Sequence, residues 1–89
     1  MKQKKQIYHL YRIDWIDAHS NGGWDKPKNI NINPLIVNSV GWLVKETPTY
    51  YVLAQNMSSS GNCADRIHIP KKWITSKHKI TRNIIEYDT

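Results

Sequence analysis

The sequence predicts a mainly β protein: a single small antiparallel barrel of five strands carrying one long loop. Apolar residues recur with a period of two, turn-forming clusters interrupt them at short intervals, and no stretch has the spacing of a strong amphipathic helix. Closure into a barrel is expected because it reduces the exposed edges that make open sheets prone to aggregation.

The elements follow in chain order. In residues 7–17, Ile7, Tyr11, Ile13 and Trp15 alternate with Arg12 and Asp14, the signature of a half-buried strand. Residues 18–34 begin with breakers, including Ser20, Asn21, Gly22, Gly23 and Pro27, and read as a long loop with a short extended piece at 30–32. A loop of this length in a small domain is often functional. Residues 35–45 and 50–57 are β-branched and aromatic, with Glu46, Thr47, Pro48 and Thr49 between them, which predicts a hairpin. Gly41 in its first arm marks a bulge, a bend or a close approach. After a Ser-rich connection at 58–65, residues 66–69 form a short strand stopped by Pro70. Lys71-Lys72-Trp73 fits one tight turn, and residues 74–80 extend again. Residues 1–6 read as a basic tail. Residues 81–89, with Ile84, Ile85 and Tyr87, read as a C-terminal extension that is either a last strand or a subunit contact.

Eighty-nine residues make one domain, 1–89, with too little core to be more than marginally stable alone, so a homo-oligomer is expected. Cys63 is the only cysteine, which rules out an internal disulfide and favours a reducing compartment. His9, Arg12 and Asp14 interrupt the apolar stretch near the start, and no run approaches the roughly 20 apolar residues of a membrane span. The expected location is cytoplasmic, with no membrane partner. Thirteen Lys and Arg against seven Asp and Glu give a net charge of +6, which favours an anionic small molecule or nucleic acid as partner.

Nothing in the sequence supports catalysis. His9, His19, His68, His78 and Cys63 lack the close pairing of metal sites, so no metal or cofactor is expected. Asp14 and Asp17, three apart on a strand, point to opposite faces, which argues against a carboxylate pair from these two. Cys63 and His68 lack a recognisable nucleophile signature, and Gly22-Gly23 lacks the lysine and helix of a phosphate loop.

Binding residues are easier to name. Trp24 follows two glycines in a polar loop, where an indole needs a ligand or an open barrel end to cover it. With Asp17, His19, Ser20 and Gly23 it forms the first candidate site, and Ser39 is expected to converge with Asp17 and Trp24 on one concave face. A carboxylate such as Asp17 accepts hydrogen bonds from a ribose hydroxyl or a base amine. Trp15 and Trp42 are expected in the core, with Trp42 also a candidate ligand contact. Lys71, Lys72, Lys77, Lys79 and Arg82, interleaved with Trp73, form the densest basic cluster, with Lys77 and Lys79 on one strand face. It reads either as a phosphate or nucleic-acid contact or as a lysine-protected sheet edge.

Two resemblances extend this reading. Ser39-Val40-Gly41-Trp42-Leu43-Val44, Tyr51-Val52-Leu53-Ala54 and Ile67-His68-Ile69-Pro70-Lys71-Lys72-Trp73-Ile74 resemble an Sm-like small barrel, with its bent strand, hairpin, further strand, tight turn and closing strand. Trp15-Ile16-Asp17, Gly23-Trp24, the Val-Gly-Trp-Leu-Val segment and Ile-Pro-Lys resemble a group of short, mostly uncharacterised bacteriophage proteins across nearly the whole chain. In that group a small hydroxyl residue follows the aspartate, where this chain has Ala18, then His19 and Ser20. The resemblance implies a phage protein acting in the host cytoplasm. The expected function is a non-catalytic sponge that sequesters an anionic nucleotide signal of host defence. The alternatives are an Sm-like module for RNA or single-stranded DNA and an inhibitor that docks on a host protein.

Overall fold

A computed structural model describes residues 5–18, 23–30 and 32–88, and, within these, the backbone alone of residue 81. Five antiparallel strands follow one another: β1 (Lys5–Asp17), β2 (Leu35–Glu46), β3 (Tyr50–Met57), β4 (Cys63–Pro70) and β5 (Ile74–Asp88). The other regular elements are one-turn 3₁₀ segments at Pro27–Asn29 and Lys71–Trp73. Among the described residues no helix is long and apolar enough to cross a membrane.

The strands form one sheet in the order β4-β3-β2-β1-β5. A closed barrel was expected, and here the structure differs: β4 and β5 are the two edges, and no ladder joins them among the described residues. The sheet nevertheless curls. Ile13, Leu53 and Ile69, from β1, β3 and β4, are fully buried although no second sheet or long helix packs on them among the described residues. One sheet can bury its own face only by bending round it. Trp15 completes the buried cluster, with Tyr11, Val37, Leu43, Tyr51, Ile67 and Ile74 packed against it. Each fully buried side chain of this size stabilises the fold by about 1.5–3 kcal/mol.

Side chains bridge the seam that backbone pairing leaves open. Lys77 Nζ on β5 donates to Tyr51 Oη on β3 at 2.9 Å, and Tyr87 Oη donates to the Ser58 carbonyl in the β3–β4 turn at 2.5 Å. These side-chain bonds link β5 to β3 and to the β3–β4 turn, while its backbone ladder runs along β1 from Lys5 to Trp15.

The β1–β2–β3 course matches the predicted strands, and Gly41 explains how they fit. A Cβ at Gly41 would lie 2.9 Å from the Ala54 carbonyl oxygen and 3.1 Å from Leu53 Cβ, so β2 crosses β3 too closely there for any side chain. The ladder is irregular just beyond, between Leu43 and Lys45. The hairpin turn is held by Thr47, whose N–H donates to the Tyr50 carbonyl and whose Oγ1 accepts from the Tyr50 N–H, both at 2.9 Å. Gly61, at φ +88°, supplies the left-handed residue of the β3–β4 turn.

At the start of the chain the structure shortens the expected basic tail, and at the end it takes the strand of the two alternatives. Lys5 and Gln6 already belong to β1, and residues 1–4 lie outside the described residues. The supposed C-terminal extension is the second half of β5, a 15-residue strand whose far end pairs with Lys5 to His9 after an irregularity at His9/Leu10. The alternation Ile84-Ile85-Glu86-Tyr87 continues the strand, and residue 80 is not a break. The 18–34 loop lies between β1 and β2 as expected, but residues 30 and 32 are not in a strand, and residue 31 lies outside the described residues.

Candidate functional site

The surface that best combines an aromatic face with charge is built where β1 ends and β5 begins. Pro70 stops β4, and the turn Lys71–Trp73 is pinned by the Lys71 N–H donating to the Thr49 carbonyl at 2.8 Å. This directs Trp73 back over the end of the curled sheet, onto Trp15. The two indoles stack with centroids 6.3 Å apart and planes 18° from parallel. Trp15 is itself fixed, because it is buried and its Nε1–H donates to Ser39 Oγ at 3.0 Å. Trp73 keeps 43% of its surface exposed. A half-exposed indole clamped on a buried one is a rigid platform for another flat ring.

A shallow groove lies on each side of Trp73. The first, about 470 Å³, is lined by Ile16, Asp17, Ala18, Lys72, Trp73, Ile74 and Thr75. The second, about 410 Å³, is lined by Pro48, Thr49, Tyr50, Pro70, Lys71, Lys72 and Trp73. Lys72 belongs to both and Asp17 to the first. The platform thus has a cation beside it and a carboxylate at one margin.

The predicted basic cluster divides. Lys71 and Lys77 both turn toward Tyr51, with Nζ 4.7 and 4.3 Å from its ring centroid, and Lys77 also lies 5.6 Å from the Tyr11 ring. Lys71 Nζ contacts Glu46 Oε2 at 2.6 Å, and this bond holds the Glu46 carboxyl below its ordinary value. The hydrogen bond to Tyr51 raises the Lys77 ammonium above its own, against a smaller lowering by burial. These two cations are engaged within the fold. Lys72 is exposed in the grooves. Lys79 is exposed and shares the face of Lys77, two register positions along β1 at Tyr11, and Arg82 is exposed farther along β5.

The loop site fares differently. Trp24 is fully exposed, Gly23 beside it is exposed, and His19 and Ser20 lie outside the described residues. The expected convergence of Asp17, Trp24 and Ser39 is not found: Asp17 borders the Trp73 groove, Ser39 is occupied by Trp15, and Trp24 is covered by neither. Trp42 is half-buried, opposite Leu10 and Ala54 and on the other face of β2 from Ser39, so it does not join the platform. No family model matches the chain, and no curated protein or solved structure shows a significant match to it.

Sequence reasoning missed two residues. Trp73 was read only as part of a basic cluster, although an aromatic inside a three-residue turn between two strands has few places to go but over the sheet end. Asp14 was set aside because it faces away from Asp17, and it is instead the hub of a polar network on the outer face. Ser76 Oγ donates to Asp14 Oδ2 and Asn38 Nδ2 to Oδ1, both at 2.6 Å, and Arg12 Nη2 lies 3.2 Å from Oδ2. Thr75 Oγ1 donates to the Asp14 carbonyl at 3.1 Å, and His78 Nε2 stands 3.7 Å from Oδ2. The Ser76 bond, then the Asn38 bond, hold the carboxyl below its ordinary value, with Arg12 adding to them and burial opposing. Every partner lies on a strand adjacent to β1 or on β1 itself, so the network ties β2, β1 and β5 together. Among the described residues no group of three or more His, Cys, Asp or Glu is placed to hold a metal ion.

Proposed function

We propose that this chain is a non-catalytic binding protein for a nucleotide-type anion, with the base stacked on Trp73 and a phosphate on Lys72. The observation that carries the reading is the Trp15–Trp73 stack, which holds an exposed indole face rigidly between two grooves that share a lysine. Stacking on an aromatic side chain contributes about 1–3 kcal/mol per base, and an ordered platform loses little freedom on binding. Asp17, at the margin of the first groove, supplies an acceptor for a base amine or ribose hydroxyl. The net charge of +6 draws anions toward the surface. The resemblance to bacteriophage proteins is the ground for proposing further that the ligand is a nucleotide signal of host defence, withdrawn by binding in the host cytoplasm.

A second reading is a module for RNA or single-stranded DNA. It is favoured by the openness of the site, since grooves on both sides of Trp73 let a strand enter and leave. The strand order, the close crossing at Gly41 and the single 3₁₀ turn before β5 support a distant Sm-like relationship, in which the seam between β4 and β5 has stayed unpaired.

Calorimetry and tryptophan fluorescence against mononucleotides, cyclic dinucleotides and short oligonucleotides test both readings. Binding should be lost in Trp73→Ala, weakened in Lys72→Glu and retained in Trp24→Ala. If none of these compounds binds at high micromolar concentration, both readings fall.

A further inference from the structure

The core cluster does not account for every buried apolar side chain. Val52 and Ala54 are 4% and 0% exposed, yet they alternate with Leu53 and so lie on the opposite face of β3 from the Ile13, Leu53 and Ile69 cluster. The far end of the β1–β5 ladder reaches this face. Tyr8 meets Tyr87 edge-on, with ring centroids 6.1 Å apart, and the Tyr87 hydroxyl fixes that end on the Ser58 carbonyl of the β3–β4 turn. A cavity of about 320 Å³ remains, with Tyr8, Val44, Val52 and Met57 among its walls and Gly61 at one end.

The charged groups that line this cavity are Lys45, Arg66 and His68, with no carboxylate among the described residues. The ladders converge them. Lys45 pairs with Val52 and Val52 with His68, so the two stand on either side of Val52, each with its Cβ about 4.5–5.5 Å from that residue's own. Arg66 lies two residues from His68 on the same face of β4, opposite Ala54. Without the irregularity between Leu43 and Lys45, Val44 would oppose Val52 and Lys45 would face the other way, so the bulge is what aims the lysine here. Among the described residues neither Lys45 nor Arg66 is in an ion pair, and the carboxylates next to them in sequence are engaged elsewhere, Glu46 by Lys71 and Asp65 by Asn56.

We propose that this cavity is a second binding site, for a small organic phosphate with its anionic head among Lys45, Arg66 and His68 and its apolar body on Val44, Val52 and Met57. The donor set suits a phosphate monoester. Arginine presents a fork, lysine a point charge, and the imidazole an N–H in either protonation state, which together match three acceptor oxygens. The volume stands at the lower end of the roughly 300–1,000 Å³ of small-molecule sites, so the body is small. The occupant is not a polymer: beyond Tyr8 and Gly61 the surface continues into a groove carrying Glu86 and Asp88, where a further phosphate would meet carboxylates. This site shares no residue with the grooves beside Trp73, and the two are independent.

Heteronuclear NMR titration of the full chain with phenyl phosphate, inorganic phosphate and phenol tests the proposal. Phenyl phosphate should shift the amides of Val44, Val52 and His68 saturably, with a Kd of about 1 mM or below and at least about tenfold tighter than either fragment. Arg66→Gln and Lys45→Gln should each weaken it about 5–10-fold. Both side chains are exposed, so the variants should keep the wild-type circular dichroism spectrum. Trp73→Ala should leave the affinity unchanged. Absence of saturable shifts up to about 10 mM overturns the proposal. So does inorganic phosphate binding as tightly as the ester, or ester binding that Trp73→Ala abolishes or that Arg66→Gln and Lys45→Gln both leave unaltered.

Discussion

Trp73 lies over Trp15 at 6.3 Å and 18°, and the buried member of the pair is anchored by its bond to Ser39. The stack therefore joins the turn before β5 to β1 and β2, and the exposed ring is positioned by the core.

Trp73→Ala should remove both the stack and the platform. The stack itself accounts for about 0.5–1.5 kcal/mol, and half-exposed packing adds to it, so urea denaturation should show a loss of about 1–2 kcal/mol with the fold retained. Nucleotide affinity should fall at least about tenfold, and Trp73→Phe should recover part of both. A variant that binds as well as the wild type would place the base elsewhere.

Asp14 makes the fold acid-sensitive in a defined direction. Its carboxyl is held below the ordinary value, so its contribution is complete above about pH 4, the range of an unfolded aspartate, and is lost as pH falls through the lower folded value. Asp14→Asn cannot accept from Ser76, Asn38 and Arg12 at once. It should lower the Tm at neutral pH by roughly 5–10 °C and flatten the fall in Tm on acidification below about pH 4. Parallel Tm–pH curves for variant and wild type would show that the network contributes nothing.

Gly41→Ala should destabilise by about 1–3 kcal/mol, the usual cost of forcing a methyl into a closed space. The obstructing atom is the Ala54 carbonyl oxygen at 2.9 Å, part of the β3 backbone, so relief requires the two strands to separate. Guanidinium denaturation reads the effect directly, and a neutral result would mean that the crossing is looser than the geometry shows.

What could be read from the sequence was local. The alternation about Ile13 and Trp15, the breakers after Ala18 and the glycine in β2 each act within a few residues; strand and loop stand where they were expected, and Gly41 takes the close approach among the three readings open to it. Barrel closure was not legible, because it depends on whether β5 pairs with one neighbour or two, and a period-two pattern is the same in either case. Asp14 shows the same limit. Its partners Asn38 and Ser76 are 24 and 62 residues away, brought together only by the registers of two ladders. Trp24 and Trp73 were separated by structure alone: both are aromatic residues among polar ones, but only the turn of Trp73 is tied to a strand end that faces a second indole.

Lys72 and Lys77 should behave oppositely in ligand binding although they are five residues apart. The Lys77 ammonium is held by Tyr51 Oη at 2.9 Å and faces two phenol rings, while Lys72 lines both grooves at Trp73. Lys77→Gln should leave affinity within about twofold and cost stability, whereas Lys72→Gln should weaken binding about 5–10-fold, as the loss of one charge-assisted contact does. Salt then separates the two readings of the ligand. A single nucleotide meets one or two cations and should show a shallow dependence. A strand contacting several phosphates should lose affinity with a slope of about −0.7 per contact, reduced by about that amount in Lys72→Gln. Equal losses in the two variants would mean that Lys77 leaves Tyr51 to meet the ligand, and the basic cluster would then act as one surface after all.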